Sequence, residues 1–229
     1  MNIQKMIGSM AGLIVMAAAI VPAHAQTPVG APNPVFVTVS GFGTISGSQV
    51  APTITSVLAS VGGGPSGTLT SQVFQGFAGN PLGGLTFVYT ISEATAGTGA
   101  GFSSLGASGF TGFSTDVAYV TANTTSGLVT NGNSITALRT GTAVNSGNLV
   151  NFGFGPLVAT GDQVQLVVFT NSNNVSFQVD NVQNGGAHMV TAYGAAAPEP
   201  ASFAVFGFVG LGVLGLMVRA RRGKTQLAV

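Results

Sequence analysis

The sequence predicts an all-β protein with a single β-sandwich or jelly-roll-like domain, flanked by one apolar helix at each end. Two observations predict this fold. Between the apolar ends, short runs of residues alternate apolar and polar with the period of strands, and clusters of Gly, Asn, Ser and Pro separate these runs. Many short strands joined by frequent turns are typical of two-sheet folds. The chain therefore divides into residues 1–25, 26–197 and 198–229.

The alternation is clearest in residues 85–92, where Leu85, Phe87, Tyr89 and Ile91 share one face of a predicted strand. Thr and Ser side chains occupy the other face of the same run. This pattern indicates a strand with one face on a hydrophobic core and the other towards solvent.

A second alternating run places Val175, Phe177 and Val179 on one face and Asp180 with its polar neighbours on the other. We expect the apolar face of this strand to pack into the core. Residues 164–170 begin by alternating and end apolar on both faces, which predicts a central strand. Further strands are predicted at 35–39, 116–120, 149–154 and 188–193, with turns at 61–65, 131–133 and 184–186.

Charged residues make up 5% of the chain, against roughly 25% in ordinary soluble domains. Residues 26–197 contain one cation and four acids, a net charge of 1 − 4 = −3; they are Arg139, Glu93, Asp116, Asp162 and Asp180. We expect no nucleic-acid partner, because a body without a basic patch cannot neutralise phosphates. The absence of Cys excludes disulfides, thiolate zinc sites and Cys nucleophiles.

The N-terminal segment has the three parts of a secretory signal peptide. Lys5 supplies the positive region, and residues 6–21 form an uncharged, mostly apolar stretch. Ala23 and Ala25 fit the small-x-small pattern before a cleavage site, which leaves Gln26 as the new N-terminus. We therefore expect signal peptidase as a partner and export of the body. The alternative is a membrane anchor that is never cleaved.

The C-terminal segment has the features of a membrane-spanning helix with a stop signal. Residues 201–218 are 18 uncharged residues, and as a helix they span about 27 Å, close to the thickness of the hydrocarbon core. A basic cluster follows at once and is expected to stay cytoplasmic, so the body lies outside the inner membrane. The cluster consists of Arg219, Arg221, Arg222 and Lys224.

Pro198, Glu199 and Pro200 stand directly before this apolar segment. A Pro-Glu-Pro motif, an apolar helix and an Arg-rich end, in that order, resemble the PEP-CTERM sorting signal of Gram-negative bacteria. The resemblance implies recognition by exosortase, a membrane-embedded transpeptidase-like enzyme, and cleavage near the motif. It also implies anchoring in the inner membrane before processing, and then transfer to the outer cell surface or matrix of biofilm-forming cells that make exopolysaccharide. The alternative is a plain C-terminal anchor.

We expect no catalytic residues, no metal site and no cofactor in the body. His188 is its only His, and no Ser lies in a Gly-x-Ser-x-Gly elbow. The four acids are far apart in sequence, so a glycosidase carboxylate pair is not predicted. Residues 62–64 lack the Lys of a phosphate-binding loop and indicate an ordinary loop. Asp180 with Asn181 offers few oxygens for calcium, and we expect a turn there.

The aromatic residues Phe177, Tyr89 and Tyr119 are candidates for a sugar-stacking platform, but their alternation favours packing in the core. We therefore expect a non-enzymatic surface or matrix protein linked to exopolysaccharide. One alternative is a polysaccharide-binding module, whose glycan binding would be lost on mutating exposed aromatics. Another is a glycan hydrolase, which would release new reducing ends from exopolysaccharide.

Overall fold

The computed structural model describes residues 27–29, 37–60, 63–95, 101–125, 135–140, 148–157, 159–183 and 186–196. Regular structure in these residues is β, apart from the single 3-10 turn Thr121–Asn123. The predicted all-β class is therefore confirmed. The two predicted terminal helices and the predicted turn at 131–133 lie outside the described residues.

The described residues form fourteen strands. In chain order they are β1 (Thr27–Val29), β2 (Val37–Thr38), β3 (Ser40–Phe42), β4 (Ser48–Gln49), β5 (Ile54–Leu58), β6 (Ser66–Gln75), β7 (Thr86–Thr95), β8 (Ser104–Ala107), β9 (Thr115–Val120), β10 (Thr136–Arg139), β11 (Val150–Gly153), β12 (Gln163–Thr170), β13 (Val175–Gln183) and β14 (Ala187–Ala195).

The strands form two sheets. The large sheet has eight strands in the order β1-β9-β12-β7-β6-β4, with β3 also paired to β9 and β5 also paired to β6. The small sheet has six strands in the order β14-β13-β8-β11-β10-β2. Strand pairing is antiparallel except between β3 and β9. The predicted turn at 61–65 is described only for residues 63–65, where Gly63 has a φ of +81°.

One hydrophobic core joins the two sheets. Its members come from inward-facing positions of both, which shows that the sheets pack face to face in a sandwich-like arrangement. Fully buried examples are Leu69, Phe87 and Ile91 from the large sheet, and Leu105, Phe152 and Val182 from the small sheet. A second apolar cluster covers the outer face of the large sheet. The rings of Phe42, Phe77 and Phe169 meet there with centroid distances of 5.2 to 6.1 Å.

This second cluster explains the apolar character of β12, which lies between β9 and β7. Leu166 and Val168 face the shared core, while Val167 and Phe169 face the outer cluster. A strand buried on both faces has no polar side to show in its sequence. The prediction of a central strand at 164–170 is confirmed.

At β14, side-chain hydrogen bonds connect the two sheets where no strand pairing does. β14 is a terminal strand of the small sheet, and side chains of the large sheet bind its backbone. Ser56 Oγ donates to the Thr191 carbonyl at 2.8 Å, and the Tyr193 N–H donates to Ser71 Oγ at 3.1 Å. The Tyr89 hydroxyl donates to the Tyr193 carbonyl. An exposed strand edge is a template for unwanted pairing, and these bonds occupy part of it.

The two buried bonds to Tyr193 should stabilise the fold more than the exposed bond from Ser56. We expect Tyr89→Phe and Ser71→Ala each to lower the free energy of unfolding by about 1–3 kcal/mol, because each leaves a buried backbone group without its partner. Ser56→Ala is the matched control and should cost under about 0.5 kcal/mol. Urea unfolding of the three variants measures this. Equal effects in all three would show that the buried bonds do not hold β14.

Candidate functional site

The charged side chains of the described residues lie mostly inside the protein. Arg139, Glu93, Asp116 and Asp180 are each at most 6% exposed, and Asp162 is half-buried. Ionised side chains are rarely fully buried, because transfer from water to the interior opposes the charged form. The exposed surface of the described part therefore consists almost entirely of amide, hydroxyl, backbone and apolar groups.

Arg139 fastens the loop between β8 and β9. Its guanidinium donates to the carbonyl of Phe113 and the hydroxyl of Thr115, and also to the carbonyl of Phe110. Burial lowers the pKa of Arg139 to about 10, which leaves the group charged at neutral pH. The planar fork of donors suits several acceptors at once. These contacts give the only cation of the described residues a structural role at an internal site.

Asp180 joins β13 to the end of β8. Its Oδ1 accepts from the Ser108 N–H at 2.8 Å and from the Ser108 hydroxyl at 3.1 Å, while its Oδ2 is buried without a hydrogen-bond partner. Burial raises the pKa of Asp180 to about 7, and the bonds from Ser108 oppose the shift. Burial and the nearby Asp180 raise the pKa of Tyr89 well above its ordinary value, so its hydroxyl keeps the proton that it donates to Tyr193.

Glu93 is the last inward-facing residue of β7 and lies at one end of the core. The carboxylate is 2% exposed and neither oxygen has a hydrogen-bond partner. Burial raises the pKa of Glu93, and the neighbouring Asp162 raises it further. The N–H of Phe102 lies close enough to oppose this shift, without the geometry of a formed hydrogen bond. Backbone bonds hold Glu93 beside Asp162 and Gly161 at 2.8 and 2.9 Å.

The fold thus brings Glu93 and Asp162 together although they are far apart in sequence. A pair of carboxylates with one raised pKa is a pattern used in glycoside hydrolysis. In such an enzyme the catalytic carboxyl must reach a sugar that lies between the two acids. Glu93 instead faces the core. Glu93 is therefore the buried member of the pair, whereas Asp162 is half-exposed at the surface.

The remaining candidates for chemistry are also internal. His188 is 9% exposed on β14, and its ring packs edge-on to Phe102 at a centroid distance of 5.7 Å. Asp180 and Asn181 lie within the strand β13, so the expected turn at this pair is wrong. The described ranges contain no group of three or more His, Cys, Asp or Glu side chains able to hold a metal ion.

The outer face of β13 and β14 is apolar, against expectation. Phe177 and Val179 are 69% and 56% exposed, whereas Asp180 on the opposite face is fully buried. The expectation that Phe177 and Val179 face the core is therefore wrong, whereas Val175 of the same predicted face is half-buried against the core. Met189 on β14 is 66% exposed. The Phe177 ring stacks on the buried Tyr193 at 5.4 Å, with an angle of 23° between the planes.

The three aromatic residues considered as a sugar platform are not brought together. Tyr89 is fully buried in the shared core and Tyr119 is half-buried against it, so packing is confirmed for Tyr89. Phe177 alone is exposed, on the outer side of the other sheet. Its partner Tyr193, whose hydroxyl donates to the Pro52 carbonyl at 2.9 Å, was not predicted from the sequence.

The residues of the predicted export signals lie outside the described part of the chain. They are the cleavage residues Ala23, Ala25 and Gln26, the motif Pro198, Glu199 and Pro200, and the basic residues Arg219, Arg221, Arg222 and Lys224. Within the residues that are described, no helix is both long and apolar enough to cross a membrane. Comparison with protein-family models, curated proteins and solved structures finds no match to this chain.

Buried acids with raised pKa values predict that the protein gains stability as the pH falls. Between pH 4 and 7 folded Asp180 keeps a proton that the unfolded chain has lost, so stability declines as pH rises through this range. The shift of Asp180 corresponds to at most about 4 kcal/mol. Glu93 and Asp116 act in the same direction, because burial raises the pKa of each.

We expect Asp180→Asn to flatten this dependence and to raise the melting temperature at pH 8 relative to the wild type, because an amide has no charge to desolvate. Asp162→Asn, at a half-exposed position, is the control and should keep most of the wild-type slope. Thermal unfolding from pH 4 to 8 measures both. An unchanged slope in Asp180→Asn would contradict the assignment of this carboxyl.

Proposed function

We propose that this chain is an exported cell-surface or extracellular-matrix protein without enzymatic activity, sorted by an exosortase-type membrane transpeptidase. The observation that carries the proposal is the order of parts at the C-terminal end. Residues 198–200 form a Pro-Glu-Pro motif, residues 201–218 are uncharged, and residues 219–224 contain four basic side chains. Lipid favours the uncharged stretch and opposes entry of the basic cluster, which fixes the orientation.

The route follows from these energetics. The signal peptide of residues 1–25 directs export, and signal peptidase leaves Gln26 at the new N-terminus. The C-terminal helix then holds the protein in the inner membrane with its basic end in the cytoplasm. Pro198 and Pro200 prevent the helix from extending outward, which leaves an extended strip for the processing enzyme. Cleavage there releases the body to the outer surface or matrix of a Gram-negative cell.

We further propose that the body is a jelly-roll-like β-sandwich between a signal helix and a transmembrane helix. Two features support this. The large and small sheets share one core, and the described strands extend from Thr27 to Ala195, within the proposed body of residues 26–197. A domain of about this size buries enough apolar surface to be stable as a unit.

The neutral exterior of the body suits a matrix rich in exopolysaccharide. With Arg139 and three of the four acids buried, contacts with uncharged polymers or with other copies meet little electrostatic repulsion. Hydroxyl and amide groups on the strands supply hydrogen bonds in place of ionic contacts. A link to biofilm is proposed on this basis together with the sorting motif.

A polysaccharide-binding module is the second candidate. The exposed ring of Phe177, stacked on Tyr193, favours it, because an exposed aromatic face can pack against the apolar face of a sugar. The exposed side chains near Phe177 are also apolar, and an apolar surface suits a protein partner better than a sugar.

Mass spectrometry of the mature protein tests the proposed function directly. In a host with exosortase we expect an N-terminus at Gln26, a C-terminus near Pro198, and recovery from the cell surface or matrix. Without exosortase, or in Glu199→Ala, we expect the same N-terminus with an uncut C-terminus at Val229 in the membrane fraction. Intact protein from the cytosol, with Met1 and Val229 both present, would contradict the proposal.

A further inference from the structure

The outer side of β13 and β14 carries a contiguous apolar surface that the core does not use. Phe177 and Val179 are successive outward residues of β13, and Met189 is an outward residue of β14. We call these three residues the outer apolar face. Val179 is paired with Thr191, and Met189 with Asn181, so Val179 and Met189 are diagonal neighbours across the two strands. The face is therefore one connected patch.

The fold determines which side chains of β13 face the core and which face outward. In β13 the polar Asp180 faces the core at the expense of a raised pKa, while two apolar residues of the same strand face outward. The bonds from Ser108 to Asp180 and the burial of Val182 set this orientation of β13, and it leaves Phe177 and Val179 uncovered. Apolar side chains that are exposed side by side on a sheet mark a surface suited to binding a partner.

The size and charge of the patch favour another folded surface as its partner. The exposed fractions of Phe177, Val179 and Met189, applied to typical side-chain areas, give roughly 350 Å² of apolar surface. This is about half of what one partner contributes to a standard protein interface, and the adjoining, exposed Thr191 can supply polar contacts. No charged side chain lies among the outward residues of β13 and β14, so two identical faces can approach without repulsion.

The arrangement of the three side chains is compatible with two-fold symmetry. Phe177 and Met189 lie about 14 Å apart on opposite sides of Val179, given the usual spacing of residues along and between strands. A two-fold axis in the plane of contact that passes beside Val179 brings the two copies of Val179 together. The same axis places Phe177 of each copy against Met189 of the other, a favourable contact between sulfur and an aromatic ring.

We propose that the outer apolar face, formed by Phe177, Val179 and Met189, binds the same face of a second copy of this chain. The contact itself follows from the described strands. It rests on the proposed function only in that a matrix protein gains cohesion from pairing with itself. An apolar core of this size gives a modest affinity for an isolated pair, which many copies held on one surface would strengthen.

Site-specific cross-linking of the full-length chain tests the proposal, and the absence of Cys makes the background clean. In Val179→Cys, a membrane-permeant bis-maleimide should convert most of the protein to a dimer on a denaturing gel. Ala122→Cys is the matched control, because Ala122 is exposed in the 3-10 turn that follows β9 of the large sheet, and β9 pairs with no strand of the small sheet. It should remain monomeric. Adding Phe177→Asp to Val179→Cys should reduce the dimer to the level of the control.

Three outcomes would overturn the proposal. Val179→Cys could stay monomeric, Ala122→Cys could cross-link equally, or the dimer could survive Phe177→Asp. If Val179→Cys stays monomeric and reacts with a maleimide only after polysaccharide is removed, a glycan covers the face instead. The reagent acts in cytosol and envelope alike, so the cross-link is read independently of export. Failure of export would appear separately, as an uncleaved signal peptide. Thermal unfolding checks that each variant is folded.

Discussion

The cost of taking a charge out of water is the constraint on which this structure depends. The described residues hold five charged side chains, and four of them are buried. Such groups must bind polar partners or hold their protons, because an isolated charge is unstable in the interior. Arg139 binds backbone carbonyls, whereas Asp180 is held by Ser108 and Glu93 has a raised pKa without a hydrogen-bond partner. The hydrogen bonds of Arg139 and Asp180 connect strands and loops that are far apart in the sequence.

These internal contacts leave the surface of the described residues almost free of charge. The consequence is a surface whose interactions depend on hydrogen bonds and apolar contact, and only weakly on salt. Such a surface is at risk of edge pairing. The hydrogen bonds that β14 accepts from Ser56 and Tyr89, and the one that it donates to Ser71, reduce that risk on one side. Association is then directed to the face of β13 and β14 where apolar side chains are exposed. Burial of charge inside and exposure of uncharged and apolar groups outside are two results of one distribution of residues.

The sequence predicts those strands in which the pattern of apolar and polar side chains matches the burial of each face. β7 alternates and β12 is apolar on both faces, so both are visible in the sequence. β6 is not, because inward positions such as Gly67 and Ser71 are small: a Cβ at Gly67 would lie 2.1 Å from the Ser92 carbonyl oxygen. Alternation also leaves open which face is the inner one. For β13 the core lies on the polar side, since Asp180 binds Ser108 in another strand's loop, and no local pattern predicts that long-range contact.

The most direct test of this account is an NMR titration of the carboxyl groups in protein labelled with ¹³C at the side-chain carboxyls of Asp and Glu. The body contains only four such groups, so each resonance can be assigned by single amide variants. We expect the pKa values of Glu93, Asp116 and Asp180 to lie above their ordinary values, with the pKa of Asp180 at about 7. Titration of all these carboxyls at the ordinary values of roughly 4 would contradict the burial of charge from which the rest follows.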